Sequence, residues 1–140
     1  MIIRKLISND INNYINLIKK FRKIEIDKLL FENCLKKIKE NGDIIICELD
    51  DKIVGTLTVL IEQKFIHNYS KYGHIEDVFV DPEYQKQGIA SKLIQEGINM
   101  CKSEKCLKCK LNCYENLKQL YFKNNFSTNG ISMIHLINQL

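Results

Sequence analysis

Residues His74–Leu93 read HIEDVFVDPEYQKQGIASKL: a strand, a proline-marked turn, a short loop and the opening of a helix. The loop, Gln85-Lys86-Gln87-Gly88-Ile89-Ala90, has the form Gln-x-x-Gly-x-Ala. A helix's first turn leaves backbone N–H groups with no internal partner. The macrodipole adds partial positive charge at the same place, so an anion, a phosphate above all, belongs there. Gly88 and Ala90 carry no bulk where backbone must approach a ligand, and Lys86 and Ser91 add side-chain donors. The loop lacks the P-loop lysine pattern and is no G-x-G-x-x-G fingerprint, so its context carries the reading: an apolar strand before it and an amphipathic helix after it.

In the strand half, Glu76 and Asp77 interrupt the otherwise apolar run IEDVFV. Successive strand residues face opposite sides, so the two acids pair only if a bulge intervenes. A charge on an edge strand, or a carboxylate held by backbone donors, is the structural explanation. Acids inside a half-buried strand are costly without a role, which favours function. One could accept a proton from a substrate amine while the other orients it.

Outward from this segment the chain is a mixed α/β pattern. A short strand, Ile2 to Ile7, precedes Ser8-Asn9-Asp10, a helix start signal. Ile11, Tyr14, Ile15, Leu17 and Ile18 then recur at helical spacing. Leu29, Leu30, Asn33, Cys34 and Ile38 predict a second helix, stopping at Asn41-Gly42. Strands Asp43 to Leu49 and Ile53 to Glu62 flank a tight turn at Asp50-Asp51-Lys52. A polar stretch, Lys64 to Tyr72, leads to the strand His74 to Val80. A helix from Gly88 to Lys102, a strand from Cys106 to Cys113, a helix from about Asn116 to Asn124 and a last strand, Ile131 to Ile137, complete the order β-α-α-β-β-β-α-β-α-β.

The whole, residues 1–140, is one domain of ordinary size with no repeats or linkers. No apolar run approaches the roughly 20 residues that span a bilayer, and MIIRKLISND has no h-region, so the expected compartment is the cytosol. The net charge of +4 is nearly all lysine, Arg4 and Arg22 being the only arginines. That suits anionic small molecules and is too weak to argue for nucleic acid.

Six cysteines are present. Cys106-x-x-Cys109 looks like half a zinc site. However, KCLKCKLNC alternates like a strand, with Leu107, Cys109, Leu111 and Cys113 on one face and Cys106 turned away. No second pair or histidine stands at zinc-finger spacing. The cysteines read as small buried hydrophobes, and no metal is expected. Tyr121, in LKQLYFKNNF, would by itself be an ordinary core tyrosine beside Leu117, Leu120, Phe122 and Phe126.

Together these residues resemble the GNAT superfamily of acetyl-CoA-dependent N-acetyltransferases, in the loop Gln85–Ala90 and the late-helix Tyr121. Within the superfamily the likeness is greatest to the enzymes that acetylate glucosamine 6-phosphate. It is carried by Lys64-Phe65-Ile66-His67-Asn68, Gly73-His74-Ile75-Glu76-Asp77-Val78, Tyr84-Gln85-x-Gln87-Gly88 and Leu111-x-Cys113. KFIHN followed by GHIED is much more specific than the loop, which the whole superfamily shares.

The resemblance implies acetyl-CoA as co-substrate and direct transfer in a ternary complex, feeding amino-sugar nucleotide synthesis. It implies that the backbone of Val78, Phe79 and Val80 pairs with the pantetheine arm. Gln85, Lys86, Gln87, Gly88, Ile89, Ala90 and Ser91 would wrap the pyrophosphate, and Asn112 would lie beside the cofactor. Glu76 and Asp77 would hold the amino sugar together with Val78, and Tyr121 would donate a proton to the departing thiolate. Lys64, His67, Leu107 and Lys108 would line the sugar-phosphate pocket. It further implies an intimate homodimer in which the last strand packs between subunits.

Two positions depart from the family's pattern: Leu136 stands where it has an arginine reaching the neighbouring subunit's sugar phosphate, and Leu117 where it has asparagine, with Asn116 one place earlier. Lys20, Arg22 or Lys23 could supply the missing cation, or could form only a solvated basic helix end. Three other functions stay open: acetylation of a different amine (another amino sugar, a polyamine, a protein N-terminus), a small cysteine/zinc-binding domain, and a non-catalytic acyl-CoA-binding module. Such a module would have no reason to keep Glu76, Asp77 and Tyr121 together.

Overall fold

The computed structural model describes residues 1–139. Strand β1 (Ile2–Lys5) is followed by a 3-10 turn over Ser8–Asp10 and helix α1 (Ile11–Phe21). Asp10 closes that turn by accepting the Ile7 N–H at 2.9 Å and two N–H groups of Arg4 at 2.8 Å each. Helix α2 (Lys28–Glu40) starts on Asp27, whose carboxylate accepts the Leu30 N–H at 3.0 Å, a standard N-cap.

The expected glycine stop after α2 is not how Gly42 is used. The helix ends at Asn41, and Gly42 opens strand β2 (Gly42–Leu49). A Cβ at Gly42 would collide with the Val59 carbonyl across the sheet, so the glycine is there for a close strand approach. Strand β3 (Lys52–Gln63) returns through Asp50 and Asp51, with φ of 50° and 60°. Two left-handed residues at the centre are the mark of a hairpin turn that matches strand twist.

A single turn, α3 (Ile66–Tyr69), leads to strand β4 (Lys71–Val80). Helix α4 (Ile89–Ser103) then crosses back to strand β5 (Lys108–Lys110), and helix α5 (Lys118–Lys123) follows. The sheet order is β1-β2-β3-β4-β5, antiparallel except for the parallel β4–β5 pair. One core lies under α4, where Ile89, Leu93 and Ile94 meet Val54, Leu57, Val59 and Ile75. The other lies under α1 and α2, where Leu17 and Leu35 meet Leu6, Ile44, Ile46 and Ile53. Helices on both faces of a mixed sheet are the α/β arrangement expected from the sequence.

Three expectations near the C-terminus are corrected. The cysteine-bearing strand pairs only over Lys108–Lys110, and its faces differ from the alternation: Cys106 joins Cys109 and Leu111 against the core, while Leu107 and Cys113 are exposed. Cys106 turns inward because it lies in the bend before the strand, its N–H bonded to the Cys101 carbonyl at 2.9 Å. The third correction is the last strand: residues 131–137 form no strand, and their apolar side chains stand in solvent. A strand exists only where a neighbouring edge supplies hydrogen-bond partners. The three-residue β5 is a short edge for a seven-residue partner.

Candidate active site

Strand β4 carries a bulge at the two acids. Thr56 of β3 pairs with Phe79 and Thr58 with Glu76, so the single residue Leu57 of β3 opposes two of β4, Asp77 and Val78. Asp77 takes φ 52°, the extra residue of the bulge. Because of that extra residue Val78 and Val80 face the same core as Ile75, while Phe79 turns to the α1 side. There its ring stacks on Phe21 with centroids 4.6 Å apart. Gly73 lies directly under Cys101 of α4, so alternation sends Tyr72, His74 and Glu76 to the opposite face. Tyr14 of α1 has its hydroxyl pushed up, by burial first and to a smaller degree by the Asp77 charge. The bulge that the pairing of Glu76 and Asp77 required is present, and both acids are exposed.

Beside the bulge the sheet opens. The β4–β5 ladder runs only from Tyr72–Lys108 to His74–Lys110. Past it, among the described residues, the β5-side edge of Val78–Val80 has no strand partner, and Asn112 lies exposed where the strands part. Unpaired strand edges are templates for another extended chain.

The helix start completes this opening. Gly88 holds φ 80° as the N-cap of α4, with no side-chain cap, and a Cβ there would meet nothing within 4 Å. Lys86 is also left-handed, at φ 61°. The first-turn N–H groups therefore face open space, as an anion site requires. Lys86 and Gln87 are exposed, whereas the Ile89 side chain is buried in the core, so it can offer a ligand only backbone. Gln85 turns back, donating to the Val80 carbonyl at 3.1 Å and tying the loop to β4.

Asn124, which no sequence pattern singles out, connects the two helices. Only 5% exposed, it donates to Ser91 Oγ at 3.1 Å and to the Leu120 carbonyl at 2.8 Å, and accepts from Gln95 at 2.9 Å. Ser91 keeps its own O–H free to donate. This joint fixes α5, and with it Tyr121, against the helix start. Tyr121 is 5% exposed and packs edge-on to Phe126 at 6.0 Å. Burial, with a smaller effect from Cys113, raises its hydroxyl above the usual range, so it stays a neutral donor. The buried Cys101 thiol is likewise pushed up, by Cys109 and by burial, which keeps it protonated.

The expected sugar-phosphate residues gather around Tyr72. Lys64 Nζ lies 5.0 Å and Lys108 Nζ 4.6 Å from its ring centroid, and the His67 ring is 6.3 Å away. Glu62 Oε1 receives both Lys64, at 3.0 Å, and His74 Nε2, at 2.9 Å. His74 first and then Lys64 hold the Glu62 carboxyl below its usual range. His67, Asn68 and Tyr69 form a left-handed turn with φ of 52°, 58° and 60°. Such residues cost about 1–2 kcal/mol each. The turn is stapled by the Gln63 amide donating to the Lys64 and Tyr69 carbonyls at 2.9 Å each, and by Ser70 donating to the His67 carbonyl. Leu107 is exposed at the rim. Tyr72 and Glu62 escaped the sequence reading, although alternation back from Glu76 points to position 72.

Of the basic residues closing α1, Lys20 is bound to Asp81 at 2.6 Å, and the Arg22 guanidinium lies over Phe21 at 4.5 Å. Among the described residues no group of three or more His, Cys, Asp and Glu is arranged to hold a metal ion, and no helix is long and apolar enough to cross a membrane.

A parallel pair that splays past the bulge in β4, with an uncapped glycine at the start of α4, leaves room for an extended chain that ends in an anionic group. Residues 11–124 match the Acetyltransferase (GNAT) family, and the chain belongs to it. Members of this family use acetyl-CoA. More particularly, the chain is 35% identical over 108 residues to glucosamine 6-phosphate N-acetyltransferase of Arabidopsis thaliana, covering 74% of this chain and 72% of that one. It is 27% identical over 125 residues to glucosamine 6-phosphate N-acetyltransferase 1 of Dictyostelium discoideum, covering 86% and 80%. The crystal structure of the Arabidopsis thaliana glucosamine-6-phosphate N-acetyltransferase superposes with a TM-score of 0.92 at 30% identity, over 98% of each chain.

Proposed function

We propose that this chain is a single acetyltransferase domain that transfers acetyl from acetyl-CoA to the amine of glucosamine 6-phosphate, in a ternary complex, for amino-sugar nucleotide synthesis. The observation that carries the reading is the common face of β4: exposed acids at the bulge, next to the open edge of the strand, and a cation cluster around Tyr72 at its β5-paired end. The relatives named above support the substrate.

Acetyl-CoA supplies an activated thioester. The backbone of Val78, Phe79 and Val80 aligns its pantetheine arm, Asn112 borders it, and the loop from Gln85 to Ser91 receives the pyrophosphate. An ammonium group is no nucleophile, so Glu76 or Asp77 removes its proton, directly or through water, while the other acid and Val78 orient the sugar. A backbone N–H of the bulged strand faces the developing oxyanion, a contribution typically worth about 3–4 kcal/mol. Tyr121 donates to the departing thiolate. Lys64, His67, Lys108 and the rim residue Leu107 hold the sugar phosphate. With Leu136 in place of an arginine, that grip falls to the chain's own lysines. No cysteine acts as a covalent relay.

The reading includes a homodimer built on residues 131–137 and a cytosolic site of action, which suits six free thiols. The test is CoA thiol release from acetyl-CoA with a panel of amines. Turnover should be greatest with glucosamine 6-phosphate. No turnover with any amine removes the enzyme, and equal activity on glucosamine removes the sugar phosphate as substrate.

A further inference from the structure

We infer, on the acetyl-transfer reading above, that Tyr72 is a positioning residue for the sugar phosphate: its ring gathers Lys64 and Lys108 into a two-pronged cationic grip on the open face of β4. The two lysines come from separate places in the fold, the residue just after β3 and the first residue of β5, and like charges separate unless something holds them. Both ammonium groups nevertheless lie within 5.0 Å of one ring centroid. A cation within about 6 Å of an aromatic face is attracted by the ring quadrupole, more strongly as water is excluded. Tyr72 is 5% exposed, so its ring is fixed and largely dry.

The charge around the ring is unbalanced. Lys64 has Glu62 at 3.0 Å, a carboxylate shared with His74. Lys108 has no ion-pair partner among the described residues. Two ammonium groups against one carboxylate leave a positive surplus, which a phosphate monoester dianion would complete. Tyr72, His74 and Glu76 share one face, and Tyr72 and Glu76 are about 13 Å apart along the strand at about 3.3 Å per residue. The long lysine stems shorten that span, so one molecule with an amine at one end and a phosphate at the other can engage both. An aliphatic residue at 72 would pack equally well but would let the lysines drift into solvent. The dianion would then have to assemble its own site, at an entropic cost that preorganisation avoids.

Steady-state kinetics of the full chain test this. Tyr72→Leu should raise KM for glucosamine 6-phosphate roughly fivefold to tenfold, with kcat and the KM for acetyl-CoA changed by less than about twofold. Tyr72→Phe should restore KM. In a Lys64→Met/Lys108→Met background the effect of Tyr72→Leu should largely vanish, since the ring acts through the lysines. An unchanged KM, an equal rise with glucosamine lacking the phosphate, or full additivity with the lysine variants overturns the inference. Should Tyr72→Leu fail to fold, pentafluorophenylalanine in place of Tyr72 keeps the bulk and reverses the quadrupole; an unchanged KM with it is equally decisive. A wild-type chain without preference for the phosphorylated sugar would instead remove the substrate reading itself.

Discussion

A phenol that must hand a proton to a departing thiolate is useful only while it holds that proton. Burial, with Cys113 nearby, raises the Tyr121 hydroxyl above its usual range, so Tyr121 is protonated throughout neutral pH. Tyr121→Phe should lower kcat about tenfold to a hundredfold and leave the KM for acetyl-CoA within about twofold, because the lost donor acts late in the reaction. Initial rates followed by thiol release decide it, and an unchanged kcat takes Tyr121 out of the mechanism. A second single-residue case concerns stability. Arg4, more than the Ile7 N–H, holds the Asp10 carboxyl below its usual range despite the opposing effect of burial. A depressed carboxyl contributes stability above its unfolded value of about 3.9 and loses it as pH falls through the folded value. Arg4→Met should therefore cost about 1–3 kcal/mol at pH 7, and the deficit should shrink below about pH 4 as Asp10 protonates. Urea melts at the two pH values check the sign; a deficit that grows in acid contradicts it.

Between elements, α4 lies close on β4 at Gly73. A Cβ at Gly73 would collide with Cys101 Sγ and crowd Cys101 Cβ at 3.2 Å. Gly73→Ala should lower stability by about 1–3 kcal/mol as α4 is pushed from the strand that carries the bulge. Cys101→Ala, by removing the sulfur, should recover part of that loss; thermal melts of the single and double variants measure it, and no recovery places the strain elsewhere. This joint was half legible in the sequence. The order of elements, the Asp50-Asp51 hairpin and the helix start at Gly88 follow from periodicity and turn chemistry, which are local. The bulge left a trace, the step of three from Ile75 to Val78 before alternation resumes at Val80. The left-handed turn at His67–Tyr69 left none, because no glycine marks it and its staples come from Gln63 and Ser70. The convergence of Lys64 and Lys108 on Tyr72 depends on β5 lying beside β4, which no local pattern reveals. Residues 131–137 have the apolar content of a buried strand, but one chain supplies no matching edge.

At the scale of the whole molecule that segment is the unresolved imbalance. Ile131 and Met133 are 90% exposed, and Ile134 and Ile137 are nearly as open. Full burial of such side chains contributes about 1.5–3 kcal/mol apiece, and contiguous apolar surface of this kind marks an interface. Under the homodimer reading the segment would gain on a second copy the strand edge it lacks within one chain. Light scattering should then give about twice the 16.4 kDa of the chain. Ile131→Asp with Ile134→Asp should yield the single-chain mass, since two buried unpaired carboxylates are costly. The same variant bears on the site. Under the same reading, with leucine at position 136 a partner would supply no arginine from this segment, and the phosphate would rest on Lys64 and Lys108 of the same chain. The monomeric variant should therefore melt earlier, yet keep its KM for glucosamine 6-phosphate within about threefold, a change of roughly 0.7 kcal/mol. A wild-type chain of single mass removes the dimer, and a dimer that survives both acids removes this segment from its interface. A monomer that has lost its sugar-phosphate affinity would mean that the grip is completed across the interface after all.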